Sequence, residues 1–411
     1  MIRLWALTLA ACFTLAAEIV ALPPSTFCGD VPVFCYGDPG ECKGLFNSDG
    51  KIIREFRLPY KILGPYSEGL LAVVDPISGL TGYLDAEGRW ALKPQWQKAY
   101  PFSSGRARFC EDDLCGFIDK SGAVVIEPRF SARQRQIEDF DSDGYARFYV
   151  GDYYRDPSRR VGVIDRDGKV VLASKAFAMG PFADGVAAAI LEGPCWQEGP
   201  FTDTGPSIDV YGADVRDSED IGMEHCRWKL IDTAGNPIGD RGYLAVASFS
   251  EGLAPARDHE YWGFIDETGK FVIAPKAPYQ GPFAQAYLHG RFVPGPFSEG
   301  LAAVYLESEG WSYVDRAGVV AVTLPEEARE FRPGPFRNGL AQIWEQGPKE
   351  REGRSSYIDR TGTKVFGKEF ASAADFCHGV AHVSTKPTHG VFSEDVISTS
   401  GKTIFSWKCR R

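Results

Sequence analysis

Helical periodicity and long apolar runs are nearly missing from this chain, and each absence removes a class of answer. Beyond the N-terminus no segment supplies the roughly 20 apolar residues a membrane-spanning helix needs, so no membrane span is expected in the mature chain. Basic residues do not predominate: 45 Lys and Arg face 55 Asp and Glu, a formal net charge of −10. Nucleic-acid affinity depends on Lys and Arg neutralising phosphates, so nucleic acid is not an expected partner. The two basic spots, at Arg133–Arg135 and Lys408–Arg411, read as solvated loop and terminus.

Catalytic signatures are missing too. There is no Gly-x-Ser-x-Gly elbow, no His-Glu-x-x-His zinc helix and no phosphate-cradling glycine loop. No catalytic and no cofactor residue is assigned, and the expectation is a protein that is not an enzyme. Asp139, Asp141 and Asp143 match the first half of a calcium loop, but Val150 stands where the bidentate Glu belongs. They are the weakest of candidates, and no metal is expected. Cys28, Cys35 and Cys42 are too widely spaced for a zinc knuckle. Cys377, His378, His382 and His389 read as structural, since His378 fills a slot held by Glu68, Asp184 and Glu251 elsewhere.

What the chain has is a repeat. A box of the form aromatic–x–x–Gly followed by an aliphatic and Ala occurs at Tyr66–Gly69, Phe102–Gly105, Phe140–Gly144, Phe182–Gly185, Phe249–Gly252, Phe297–Gly300, Phe336–Gly339 and Phe376–Gly379. A turn of the form Asp–x–x–Gly follows an aliphatic pair at Asp85–Gly88, Asp119–Gly122, Asp165–Gly168, Asp232–Gly235, Asp266–Gly269, Asp315–Gly318 and Asp359–Gly362, with variants at Asn47–Gly50 and Ser398–Gly401. The Asp side chain can take backbone N–H groups two residues on, and the Gly takes the positive φ that a Cβ resists. Flanks such as Phe264–Ile265 and Phe271–Ile273 are β-branched and aromatic runs of strand length. A period near forty residues means stacked supersecondary units. The prediction is an all-β array of three to four short strands per unit.

Eight boxes against nine turns is a half-integral count. It favours an open, twisted β-array whose last hairpin caps the stack. A closed β-propeller is the alternative.

The fullest copy reads Trp262–Gly263, then Asp266 and Gly269, then Phe297 and Gly300. This phrase resembles the WG-repeat family, also called the KWG repeat, and the resemblance runs from about Gly44 to Ile404. The namesake pair survives at Trp262–Gly263, while Thr81–Gly82, Cys115–Gly116 and Val161–Gly162 are divergent copies. The resemblance implies β-rich repeats and an envelope or extracellular setting, and it carries no shared catalytic residue.

Domain limits follow. Residues 1–21 read as a signal peptide, with Arg3 before the apolar Leu4–Ala17 stretch. A lipoprotein signal ending before Cys12 is the alternative and would leave a lipid anchor there. Residues 22–43 are a Cys-rich segment, and 44–411 the array, with an acidic loop insertion at about 192–226. An oxidising compartment permits disulfides, and three pairs are candidates: Cys110 with Cys115, Cys195 with Cys226, and Cys377 with Cys409.

The function these readings favour is a non-enzymatic binding or scaffolding array, exported to the periplasm, the cell envelope or the medium. Its partner would be a protein or a glycan. The alternative is an exported hydrolase-like enzyme with a site near the 192–226 insertion and His225.

Overall fold

The computed structural model describes residues 30–38, 40–133, 135–151, 160–191, 210–211, 227–258, 261–278, 293–306, 309–346, 353–385 and 391–410. Among these residues every pairing is antiparallel, and one 3-10 turn, Glu326–Ala328, is the whole helical content. The turns behave as their sequence predicts. Asp119 Oδ1 accepts the N–H groups of Ser121 (2.8 Å) and Ala123 (3.0 Å), and Gly122 has φ +85°. Asp266 and Asp359 repeat this geometry.

Each unit folds as a blade, and in the fullest blades a short strand, the box strand and the two strands of the hairpin pair in that order; elsewhere the described residues give two or three of them. In the third blade these are Lys98–Ala99, Ala107–Glu111, Leu114–Ile118 and Val124–Ser131, paired in that order. The box Ala lies against the neighbouring blade, and Ala107, Ala146, Ala254, Ala302, Ala341 and Ala381 are fully buried. A small residue suits the position where blades converge.

Stacking would leave two free ends, and the described residues leave none. Apolar clusters join every consecutive pair of units, from Leu45 and Leu71 between the first and second to Tyr357 and Phe376 between the eighth and ninth. A further cluster joins the ninth to the first. Phe405 stacks on Phe46 with centroids 4.2 Å apart, among Phe34, Val380 and Val396. Trp407 Nε1 donates to Gly37 O at 3.0 Å. The fold is a closed β-propeller, with nine such interfaces among the described residues. The open array with a capping last hairpin is therefore corrected: the last hairpin packs face to face on the first blade, and neither end of the stack is exposed.

The miscount has a local cause. The third residue of a box carries its side chain to the glycine N–H of the next box. Glu68 accepts from Gly105 (2.8 Å), Glu251 from Gly300 (3.0 Å) and Glu299 from Gly339 (3.0 Å). Asp30 does the same for Gly69, at 2.9 Å. Asp30 thus takes the third position of one further box, whose fourth residue is Val31 where the others have glycine. Nine boxes match nine turns, and the ring closes.

The Gly slot of the repeat also gains a reason. In the third blade Cys115 pairs with Phe130 and Phe117 with Ile126, so two residues of one strand face four of the other. The outer strand bulges opposite Gly116, where a Cβ would sit 2.2 Å from Ile126 O. Pro128, which has no N–H to give a ladder, lies in the bulge. Gly82 faces the same arrangement around Pro94.

Candidate functional site

In the first blade this bulge is larger, and it builds a concavity against the second blade. Strand Ile52–Ile62 pairs Glu55 with Gly44 and Tyr60 with Cys42. Four residues, Phe56 to Pro59, therefore leave the ladder, one more than the three that leave it in the third blade. They form one wall of a cleft of about 490 Å³ against the second blade. The opposite wall is Asp75–Ile77 and Gly88–Trp90.

The cleft has an apolar interior and a charged edge. Phe56 meets Tyr60 edge-on at 4.8 Å, and Tyr60 meets Trp90 edge-on at 5.4 Å. These rings pack on one another rather than presenting open faces. The exposed apolar groups are aliphatic: Ile77 is 84% exposed and Leu58 47%, with Ile52 and Ile53 beside them on the same strand. Arg54 Nη1 donates to Gly88 O at 2.6 Å, which fixes the two walls together. Arg57 is exposed on the bulge and takes part in no ion pair among the described residues. Asp75 is held below the usual carboxylate range by the Ser78 hydroxyl and backbone N–H. Burial, and then the Asp75 charge, push the Tyr60 hydroxyl up, so it stays a neutral donor at physiological pH. The cleft offers apolar contact, with charged groups of both signs at its rim.

The residues singled out from sequence fall elsewhere. Trp262 is buried, Phe297 packs edge-on to Phe264 at 4.9 Å, and Asp266 and Gly269 form their turn, so all serve the blades. Gly263 sits in the ladder opposite Ala256. Asp139, Asp141 and Asp143 do not converge. Asp139 takes Arg108 Nε at 2.9 Å, Asp141 takes the N–H groups of Tyr145 and Phe182, and Asp143 takes that of Gly185 at 2.7 Å. Among the described residues no three His, Cys, Asp or Glu side chains are grouped to hold a metal ion. His382 stacks on Trp407 at 5.3 Å and lies 3.0 Å from Glu394.

Cys110 and Cys115 are disulfide-bonded across their hairpin, with Cα atoms 4.0 Å apart. Cys35 and Cys42 form a second bond that spacing did not single out. Cys377 is also disulfide-bonded, but the pairing with Cys409 is corrected. The Cys377 box adjoins Val380, which pairs with Ser398, whereas Cys409 pairs with Phe392. Six residues of strand separate those rungs, roughly 20 Å, several times the Cα separation a disulfide allows. Cys195, Cys226, His225, His389, Cys12 and most of the 192–226 insertion lie outside the described residues. No helix among the described residues is long and apolar enough to cross a membrane.

The bulge was missed in sequence because the aromatic, Arg and Pro of Phe56–Pro59 match no box or turn. The available signal was spacing: Gly50 to Tyr66 is two residues longer than Gly88 to Phe102.

A sequence model described as WG containing repeat matches residues 82–115, 116–154 and 262–276. No curated protein matches the chain. Among solved structures the chain is similar to the eukaryotic initiation factor, at 10% identity and TM-score 0.55, over 90% of this chain and 94% of that one. It is more distantly similar to BamB from Moraxella catarrhalis (10%, TM-score 0.39, 76% and 88% covered) and to the WD40 beta propeller domain of Doa1 (12%, TM-score 0.30, 68% and 86%). At such identities the first likeness speaks to fold alone, and the other two carry no argument.

Proposed function

We propose that this WG-repeat protein is an exported, non-catalytic binding propeller that takes a protein partner in the cleft between its first and second blades. The observation that carries the reading is the Phe56–Pro59 bulge, which places Leu58 and Arg57 in solvent opposite Ile77. Aliphatic side chains held in water across a cleft cost free energy that a partner's apolar residues would recover. Protein is favoured over glycan because the aromatic rings are turned on each other, whereas sugar rings stack on open aromatic faces. The bonded pairs Cys35–Cys42 and Cys110–Cys115 favour an oxidising compartment.

Pulldown from envelope extract with the wild-type protein and with a Leu58→Glu/Ile77→Glu double variant tests the reading. Both positions are solvent-exposed, so the double variant is expected to fold as the wild type does. Partners captured by the wild type should fall at least tenfold with the variant. An unchanged set of captured proteins would remove the cleft as the binding surface.

A further inference from the structure

We propose that the outer strand of the first blade is an acceptor edge: an extended segment of a protein partner, alternating apolar and acidic residues, adds to it as a further strand and runs on into the cleft. This rests on the reading of that cleft as a protein-binding site and names how the partner is held.

Propeller blades keep their outer edges short and protected. Strands Trp90–Trp96, Val124–Ser131, Val170–Ala176 and Val320–Thr323 run from 4 to 8 residues and bury Leu92 and Trp96, Ile126, Ala176 and Val322. Strand Ile52–Ile62 has 11 residues and buries none of them. One of its sides pairs with Glu41–Asn47 from Ile52 to Lys61. The other side meets Leu71–Val74 at Lys61 and Ile62 alone. Among the described residues no ladder covers that second side of Ile52–Tyr60. Backbone N–H and C=O groups left on such an edge are a template for another strand. Beside them Ile52 is 45% exposed and Ile53 36%, so an added strand would also take apolar surface out of water.

Charge decides the occupant. Residues 51–61 carry Lys51, Arg54, Arg57 and Lys61 against Glu55, a positive strip on a chain of net charge −10. Glu41 stands opposite Lys61 in the ladder. Glu55 accepts the Tyr36 hydroxyl at 3.3 Å, and Asp75, across the cleft, is engaged by Ser78. The surplus therefore sits on Lys51, Arg54 and Arg57. Two copies of this strip would set like charge against like, which is how edges are guarded against self-pairing. Carboxylates on the facing positions of a different strand turn the same charge into cross-strand attraction. In strand addition the main-chain bonds supply affinity and alternate side chains supply selection. Three residues beyond Glu55, about 10 Å of strand, the added segment reaches Leu58, where an apolar side chain meets Ile77 across the gap.

The probe is a short, end-blocked peptide alternating valine and glutamate, with a valine–lysine peptide as control, and the readout is hydrogen exchange of the full chain by mass spectrometry. The glutamate peptide should slow the amides of residues 52–58 and bind at least tenfold more tightly than the lysine peptide. Arg57→Glu should abolish that preference, and Arg57→Lys should keep it. Absence of binding, equal binding of the two peptides, or saturation without slowing at residues 52–55 overturns strand addition. So does a wild-type dimer in sedimentation that Ile53→Asp dissolves, since a second copy would then be the occupant. Partner capture that depends on Leu58 and Ile77 while residues 52–55 exchange freely removes strand addition and leaves the cleft reading standing. Capture indifferent to Leu58 and Ile77 removes both.

Discussion

Asp375 offers the sharpest quantitative test of how the ring is packed. It precedes Phe376 in the ninth box, the slot Asp139 holds in the fourth, but Asp139 is paired with Arg108 and Asp375 accepts no hydrogen bond among the described residues. It lies against Gly334, whose carbonyl accepts Tyr313 Oη at 2.6 Å. Burial pushes its carboxyl from 3.8 up to about 6, with the Arg337 charge opposing. The sign is fixed by linkage: a carboxyl that binds its proton more tightly in the folded state costs stability as pH rises from its unfolded to its folded value. A shift of about two units corresponds to about 3 kcal/mol at 1.36 kcal/mol per unit; this is an upper figure, because solvent still touches part of the side chain. Asp375→Asn keeps the shape and removes the titration. Its stability should match the wild type below pH 4 and exceed it by 1 to 3 kcal/mol, to order of magnitude, above pH 7. Guanidinium unfolding followed by tryptophan fluorescence at both pH values measures this. Equal stabilities throughout, or a variant that weakens as pH rises, would refute the buried-carboxyl reasoning.

Further outcomes are expected. In thermal melts, Gly116→Ala should cost at least about 2 kcal/mol, because its Cβ would meet Ile126 O at 2.2 Å; Gly105→Ala, with open space but φ +78°, should cost about 1 kcal/mol. Glu299→Ala removes the acceptor of the Gly339 N–H and of Arg360 and should cost about 1 kcal/mol. Glu299→Gly should melt above Glu299→Ala, since glycine relieves the φ of +53°. In denatured, unreduced protein Cys35, Cys42, Cys110, Cys115 and Cys377 should resist maleimide labelling, and labelling at any of them would contradict the bonding described.

The local units of this protein are written in its sequence. An Asp two and four residues before backbone N–H groups, with a Gly at positive φ, makes the Asp119–Gly122 turn from contacts inside five residues. The alternation around it specifies strands, and the period specifies repetition, so the all-β class was legible at once. Closure was not, because it is a property of the last interface alone: Phe46 and Phe405 are ordinary aromatic strand residues until the accumulated rotation of the blades brings them 4.2 Å apart. The box that holds Asp30 hid for a related reason. Its identity lies in what Asp30 bonds to, Gly69, thirty-nine residues away, and not in any residue the repeat shares. The cleft likewise arises from register, since whether extra residues between Gly50 and Tyr66 tuck in or bulge out is decided by the strand they pair with. Short-range hydrogen bonding and periodicity act through neighbours in the chain and can be read there; ring closure, cross-blade bonds and bulge direction act between residues that only the folded chain makes neighbours.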